Sequence, residues 1–153
     1  MFILGAFGVS VKGRRAEICE LPEKISFGDL TRQGFPFYSG AVTYKTMLPA
    51  KDSALTVCAS KYAGALVSVD IDNKPAGKII YPPYTLTAHD LEDGMHEVDF
   101  TLFIHRFNSF GPVHFSDETD HWQGPGAWRS DGRRWSYEYQ LKRTGILRAV
   151  TYK

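Results

Sequence analysis

The chain predicts an all-β fold, two antiparallel sheets packed as a sandwich or jelly roll. Three observations carry that expectation. Apolar and polar residues alternate with a period of two in several short stretches, the spacing of a half-buried strand. A helical period of 3.6 residues is never sustained for long. Clusters of Gly, Pro, Asn and Asp separate the stretches without the strand-helix-strand rhythm of a parallel sheet. A length of 153 residues with 43% apolar composition suits one domain, which at this size buries roughly 70% of the surface exposed by the unfolded chain. Residues 1–30 are expected to be an N-terminal edge segment packing on the sandwich, and residues 31–153 the sandwich itself.

The opening is apolar through Phe2, Ile3, Leu4, Phe7 and Val9, suited to an edge strand. From Val42 to Leu48, Val42, Tyr44 and Leu48 fall on one side and Thr43 and Lys45 on the other. Residues 53–59 supply a weaker partner through Leu55 and Val57. Ala65, Val67, Val69 and Ile71 alternate with Ser68, Asp70 and Asp72. The turn residues Asp72-Asn73-Lys74 and Gly77 then lead into Lys78-Ile79-Ile80-Tyr81, so 65–81 reads as a hairpin. Pro82-Pro83 ends it, because proline lacks an amide donor and disfavours helix before it. Residues 86–91 suggest a helical turn, and Glu92-Asp93-Gly94 another chain reversal. The strongest strand follows, with Val98, Phe100, Leu102 and Ile104 aimed at a core. Trp135, Tyr137, Tyr139 and Leu141 alternate with polar neighbours, predicting a last strand that closes the fold.

A net charge of +1 gives no basic excess for nucleic acid. No apolar run approaches the ~18 residues that span a bilayer, and the opening lacks a signal-peptide pattern, so neither a nucleic acid nor a membrane is an expected partner. The compartment stays open. Cys19 and Cys58 are too few for a disulfide framework and are not at metal-ligand spacing.

The stretch from His105 to Tyr139 holds all three tryptophans and three of the five histidines, set among Gly, Pro, Arg and Asn. Sugars bind where an aromatic plate lies beside fixed donors and acceptors. Trp128 and Arg129 follow a Gly-Pro-Gly loop and fit that demand. Trp122 offers a second plate. Arg106, Asn108 and His114 complete the candidate ligand-binding set, with bracing of the loop through backbone carbonyls the competing role for Arg106 and Asn108. Arg129, Arg133 and Arg134 cluster around Asp131-Gly132, either favouring an acidic glycan or forming a solvated turn. An arginine fork can hold two hydroxyls or a uronate carboxylate.

Catalytic motifs are absent from the string: no G-x-S-x-G, H-E-x-x-H, P-loop or G-x-G-x-x-G occurs. Glycoside hydrolysis needs two carboxyl groups flanking the scissile bond, whereas the acidic residues here sit in turn contexts. No catalytic residue and no cofactor is expected. His105, His114 and His121 match no tight zinc signature. A structural calcium ion on Asp117 and Asp120 competes with a plain hydrated acidic loop, which leads.

The string Gln33-Gly34-Phe35-Pro36-Phe37-Tyr38-Ser39-Gly40, running into Val42-Thr43-Tyr44, resembles the opening of the sugar-binding β-sandwich of glycoside hydrolase family 2 and related large glycosidases. Gly64–Asp70 through Gly77-Lys78, then Pro-Pro-Tyr, is similar to the central hairpin of those domains, and 108–114 and 124–129 look like loop motifs of C-terminal domains in uncharacterised members. The resemblance covers roughly residues 30–147. It implies a galactose-binding-like jelly roll, non-catalytic, attached to the catalytic domain of a parent glycosidase. Carbohydrate is then the expected ligand, and a docking module without sugar affinity is the alternative. A shared fold carries no function by itself.

Overall fold

A computed structural model of the chain describes residue 3, residues 5–116 and residues 123–153. The chain gathers into two compact units, the first made of 1–24, 30–39 and 106–143, the second of 25–29, 40–105 and 144–153.

The second unit is the β-sandwich. Its larger sheet has four antiparallel strands in the order β3-β9-β6-β7, namely β3 (Ala41–Ala50), β9 (Gly94–Phe103), β6 (Leu66–Ile71) and β7 (Lys74–Ile79). The smaller has β11 (Thr151–Tyr152), β4 (Ala54–Cys58) and β8 (Thr85–His89) in the order β11-β4-β8. A short pair, β5 (Tyr62–Ala63) with β10 (Gly145–Ile146), completes it. Alternation does the folding: Val67, Val69 and Ile71 of β6, Val98, Phe100 and Leu102 of β9, and Leu55 and Val57 of β4 are buried while their neighbours point outward. Each such side chain contributes roughly 1.5–3 kcal/mol on leaving water. Buried Tyr44 stacks on Phe27 with ring centroids 5.2 Å apart, and its hydroxyl accepts the Ile146 amide at 3.4 Å.

The reversal between β6 and β7 uses Asp72 and Asn73, both with positive φ (49° and 62°), the conformation a tight two-residue hairpin requires. Two expectations are corrected. Residues 86–91 do not form a helical turn: Thr85–His89 is β8, paired with β4 from Ala54↔His89 to Cys58↔Thr85. Thr85 and Thr87 are β-branched, and the Thr87 hydroxyl meets that of Thr56 across the pair at 2.8 Å. Nor does 135–142 form the closing strand. Among the described residues only an isolated bridge, Phe115↔Trp135, is laddered there, and the closing strands are β10 and β11.

The first unit contains the hairpin of β1 (Gly8–Lys12) and β2 (Arg15–Cys19), which pair with each other in a two-stranded sheet. The Val9 amide donates to the Gly34 carbonyl at 2.9 Å. Loops make up most of the rest, with one turn of helix α1 (Phe107–Phe110) and a 3-10 turn at Pro125–Trp128. Leu30 and Pro36 are fully buried. Among the described residues no helix is long and apolar enough to cross a membrane.

Candidate functional site

The sequence places its aromatic and arginine-rich stretch in the first unit, where backbone bonds between distant loop segments substitute for a sheet. Asn108 is buried, its amide nitrogen donates to the Lys142 carbonyl at 2.7 Å, and its amide oxygen accepts the Lys142 N–H at 2.9 Å. Both ends of the side chain are thereby spent on the backbone, the bracing role weighed for this residue. The Ser136 amide donates to the His114 carbonyl (2.8 Å), Gln140 to Val113 (2.6 Å) and Ser116 to Arg134 (2.9 Å), which lays 134–140 against 113–116 without regular pleating. That irregular pairing is why the alternation of 135–142 gives no strand.

A row of rings results. His114 lies 4.6 Å from Trp135 and 4.7 Å from Tyr139, centroid to centroid. Tyr139 meets Phe37 edge-on at 5.2 Å, and Trp135 meets Tyr137 at 6.2 Å. His114 Nδ1 donates to the Ser136 carbonyl at 3.0 Å, fixing a proton on that nitrogen. Its half-buried ring is therefore held by packing on two sides. At the other end of the loop, Arg106 is exposed, and its carbonyl accepts the Ser109 and Phe110 amides to start α1.

The same unit has a cleft of about 480 Å³. Among the described residues Phe115, Gln123, residues 124–127, Arg129, Asp131, Gly132, Arg133 and Arg134 line it. Pro125 starts the 3-10 turn with its fixed φ, and the Arg129 amide closes the turn on the Gly126 carbonyl. Glycine keeps two walls low: a Cβ built at Gly126 or Gly132 meets no atom within 4 Å. The Arg134 guanidinium carbon stands 5.7 Å from the centre of the Phe115 ring, within cation-π range. Arg129 and Arg133 are exposed.

Of the sequence-predicted set, Arg129 lines this cleft. Trp128 ends the turn, is 54% exposed and is not part of the lining. Trp122, together with Asp117 and Asp120, falls outside the described residues. Among the described residues no three His, Cys, Asp or Glu side chains come together in a group that could hold a metal ion. Phe115 was not singled out by sequence reasoning; its aromatic character beside His114 was the available signal, but its partner in the bridge, Trp135, lies too far along the chain for periodicity to reveal.

No protein-family model matches the chain, and no curated protein matches it. Solved structures do. A rhamnosidase from Novosphingobium sp. PP1Y superposes with a TM-score of 0.56 at 16% identity, covering 97% of this chain and 14% of its own. A family GH2 beta-galacturonidase from Eisenbergiella tayi (TM-score 0.49, 19% identity, 95% of this chain, 22% of its own) and a beta-D-mannosidase from Dictyoglomus thermophilum (0.42, 14%, 97%, 22%) are more distant likenesses. The chain thus spans about a seventh of the rhamnosidase it matches, and what this likeness establishes is a fold that occurs within a glycosidase.

Proposed function

We propose that this chain is a non-catalytic accessory domain of a glycosidase, a galactose-binding-like β-sandwich whose loops bind carbohydrate. The observation that carries this reading is the cleft: a concavity of about 480 Å³ with guanidinium groups, a glycine-walled turn and, next along the chain, a half-exposed tryptophan. Such a volume lies within the ~300–1,000 Å³ of small-ligand sites. The likeness to a small part of a rhamnosidase supports the accessory role. Trp128 supplies the stacking face and Arg129 the hydroxyl-binding fork. In this reading the purified domain is retarded in native gels cast with at least one polysaccharide of a broad panel, and Trp128→Ala weakens that retardation about tenfold or more, as expected for a lost aromatic anchor. No retardation by any glycan in the panel rejects sugar binding.

A second reading, docking onto a neighbouring catalytic domain without sugar affinity, draws on the outward face of the large sheet. Met47, Met95 and Phe103 are 52%, 59% and 45% exposed there, and apolar groups left open on one domain can mark an interface. Sedimentation separates the two: weak self-association with no glycan retention favours docking, a monomer with retention favours binding.

A further inference from the structure

We propose that the cleft selects acidic glycans, seating the carboxylate of a uronic acid residue between Arg129 and Arg133; this deepens the carbohydrate-binding reading and rests on it. Among the described lining residues three are arginines and one, Asp131, is acidic, and Arg129 and Arg133 are exposed. An arginine fork can serve hydroxyls, but a carboxylate is the sugar substituent that also answers its charge. A guanidinium presents a planar pair of N–H donors that matches the two oxygens of a carboxylate, and charge-assisted bonds of this kind are roughly twice as strong as neutral ones. Arg134 already stands over the Phe115 ring, which leaves Arg129 and Arg133 as the pair to close on the ligand.

The low glycine walls let a pyranose ring approach the backbone. A Cβ at Gly126 or Gly132 would project into open space, and only at Gly132, with φ of +87°, does the backbone itself disfavour a side chain. Gly126 therefore offers a way to fill the cleft while leaving the fold and every charge in place. The Asp131 carboxylate, on the same wall, sets orientation by repelling a second acid and accepting from a ring hydroxyl.

The test uses the whole chain and four probes: oligogalacturonate, its methyl ester, a neutral oligosaccharide of similar length, and dextran sulfate. Binding is followed by calorimetry at low and moderate salt. The expected result is affinity for oligogalacturonate at least about tenfold above that for its methyl ester, one charge-assisted pair being worth about that factor. Arg129→Gln and Arg133→Gln each remove most of the preference. Gly126→Leu lowers binding of all glycans with an unchanged melting temperature. Equal affinity for the acid and its ester overturns the proposal while leaving carbohydrate binding intact. Equal affinity for dextran sulfate, with the same salt dependence, also overturns it by reducing the cleft to a general polyanion surface. Absence of binding to all four probes overturns the selectivity, whereas the underlying sugar-binding reading falls only if the broad glycan panel also shows no retardation.

Discussion

His96 has acceptors on both sides of its ring: Nδ1 is 2.5 Å from an Asp72 carboxylate oxygen and Nε2 is 2.7 Å from the Glu92 carbonyl. An imidazole facing two acceptors satisfies both only when both nitrogens carry protons, so the charged form is favoured. The hydrogen bond to Asp72 first, and that to Glu92 second, raise the histidine pKa, while the bond from His96 lowers that of Asp72. A raised histidine pKa gives stabilisation that is complete below the unfolded value, ~6.5, and lost as pH climbs through the folded one. A lowered aspartate pKa gives stabilisation present above ~3.9 and lost as pH falls through the folded value. The pair therefore stabilises most between about pH 4 and 6.5. Urea midpoints of wild type and His96→Gln are expected to differ most near pH 5.5 and to converge by pH 9; a gap independent of pH rejects the assignment. Asp72 sits in the turn between β6 and β7 and His96 on β9, 24 residues away, so no sequence pattern announced their meeting. Asn108 taught the same lesson. Its type and loop position suggested either bracing or ligand contact, and its bonds to Lys142, 34 residues away, could not be read from the string.

At the scale of elements, strands with one buried face were legible and those without were not. β6 and β9 alternate cleanly because their inward residues fill the core, and the residues of their hairpin and turn could be read directly. β8 was missed because its inward positions are only Leu86 and Ala88, both half-buried, which offer little contrast. Trp135 to Leu141 alternates for a different reason, since its rings pack into the His114 row instead of onto a sheet. Gly77 marks where β7 and β8 approach. Its φ is +153°, and a Cβ there would lie 2.4 Å from Leu86 Cδ1. Gly77→Ala should cost on the order of 1–3 kcal/mol through backbone strain and overpacking. In a double-mutant cycle, Leu86→Ala should recover part of that loss by removing the clash, leaving the strain. Additive penalties from the two changes, measured by urea denaturation, argue against contact between these positions.

For the whole molecule, the composition could announce β structure but not the long-range register that makes it a sandwich. β3 pairs with β9 from Ala41↔Phe103 to Ala50↔Gly94, and β11 pairs with β4 across most of the chain, Thr151↔Cys58 and Tyr152↔Val57. Thr56 and Lys153 exchange two backbone bonds, 3.1 and 2.9 Å long, that extend this last pairing. Such distant contacts reward the chain only after long loops have closed, which makes the fold slow to form and sensitive to its final strand. With β11 present, β4 is an inner strand; without it, β4 becomes an edge with unpaired amides and carbonyls. Deleting residues 150–153 is therefore expected to cost about 2–4 kcal/mol, near 1 kcal/mol for each backbone bond lost. Thermal melting should show the loss. Sedimentation should show association that grows with concentration, as the bared strand finds other copies. A truncated chain that melts like the full one and stays monomeric would mean that β11 contributes nothing to closing the smaller sheet.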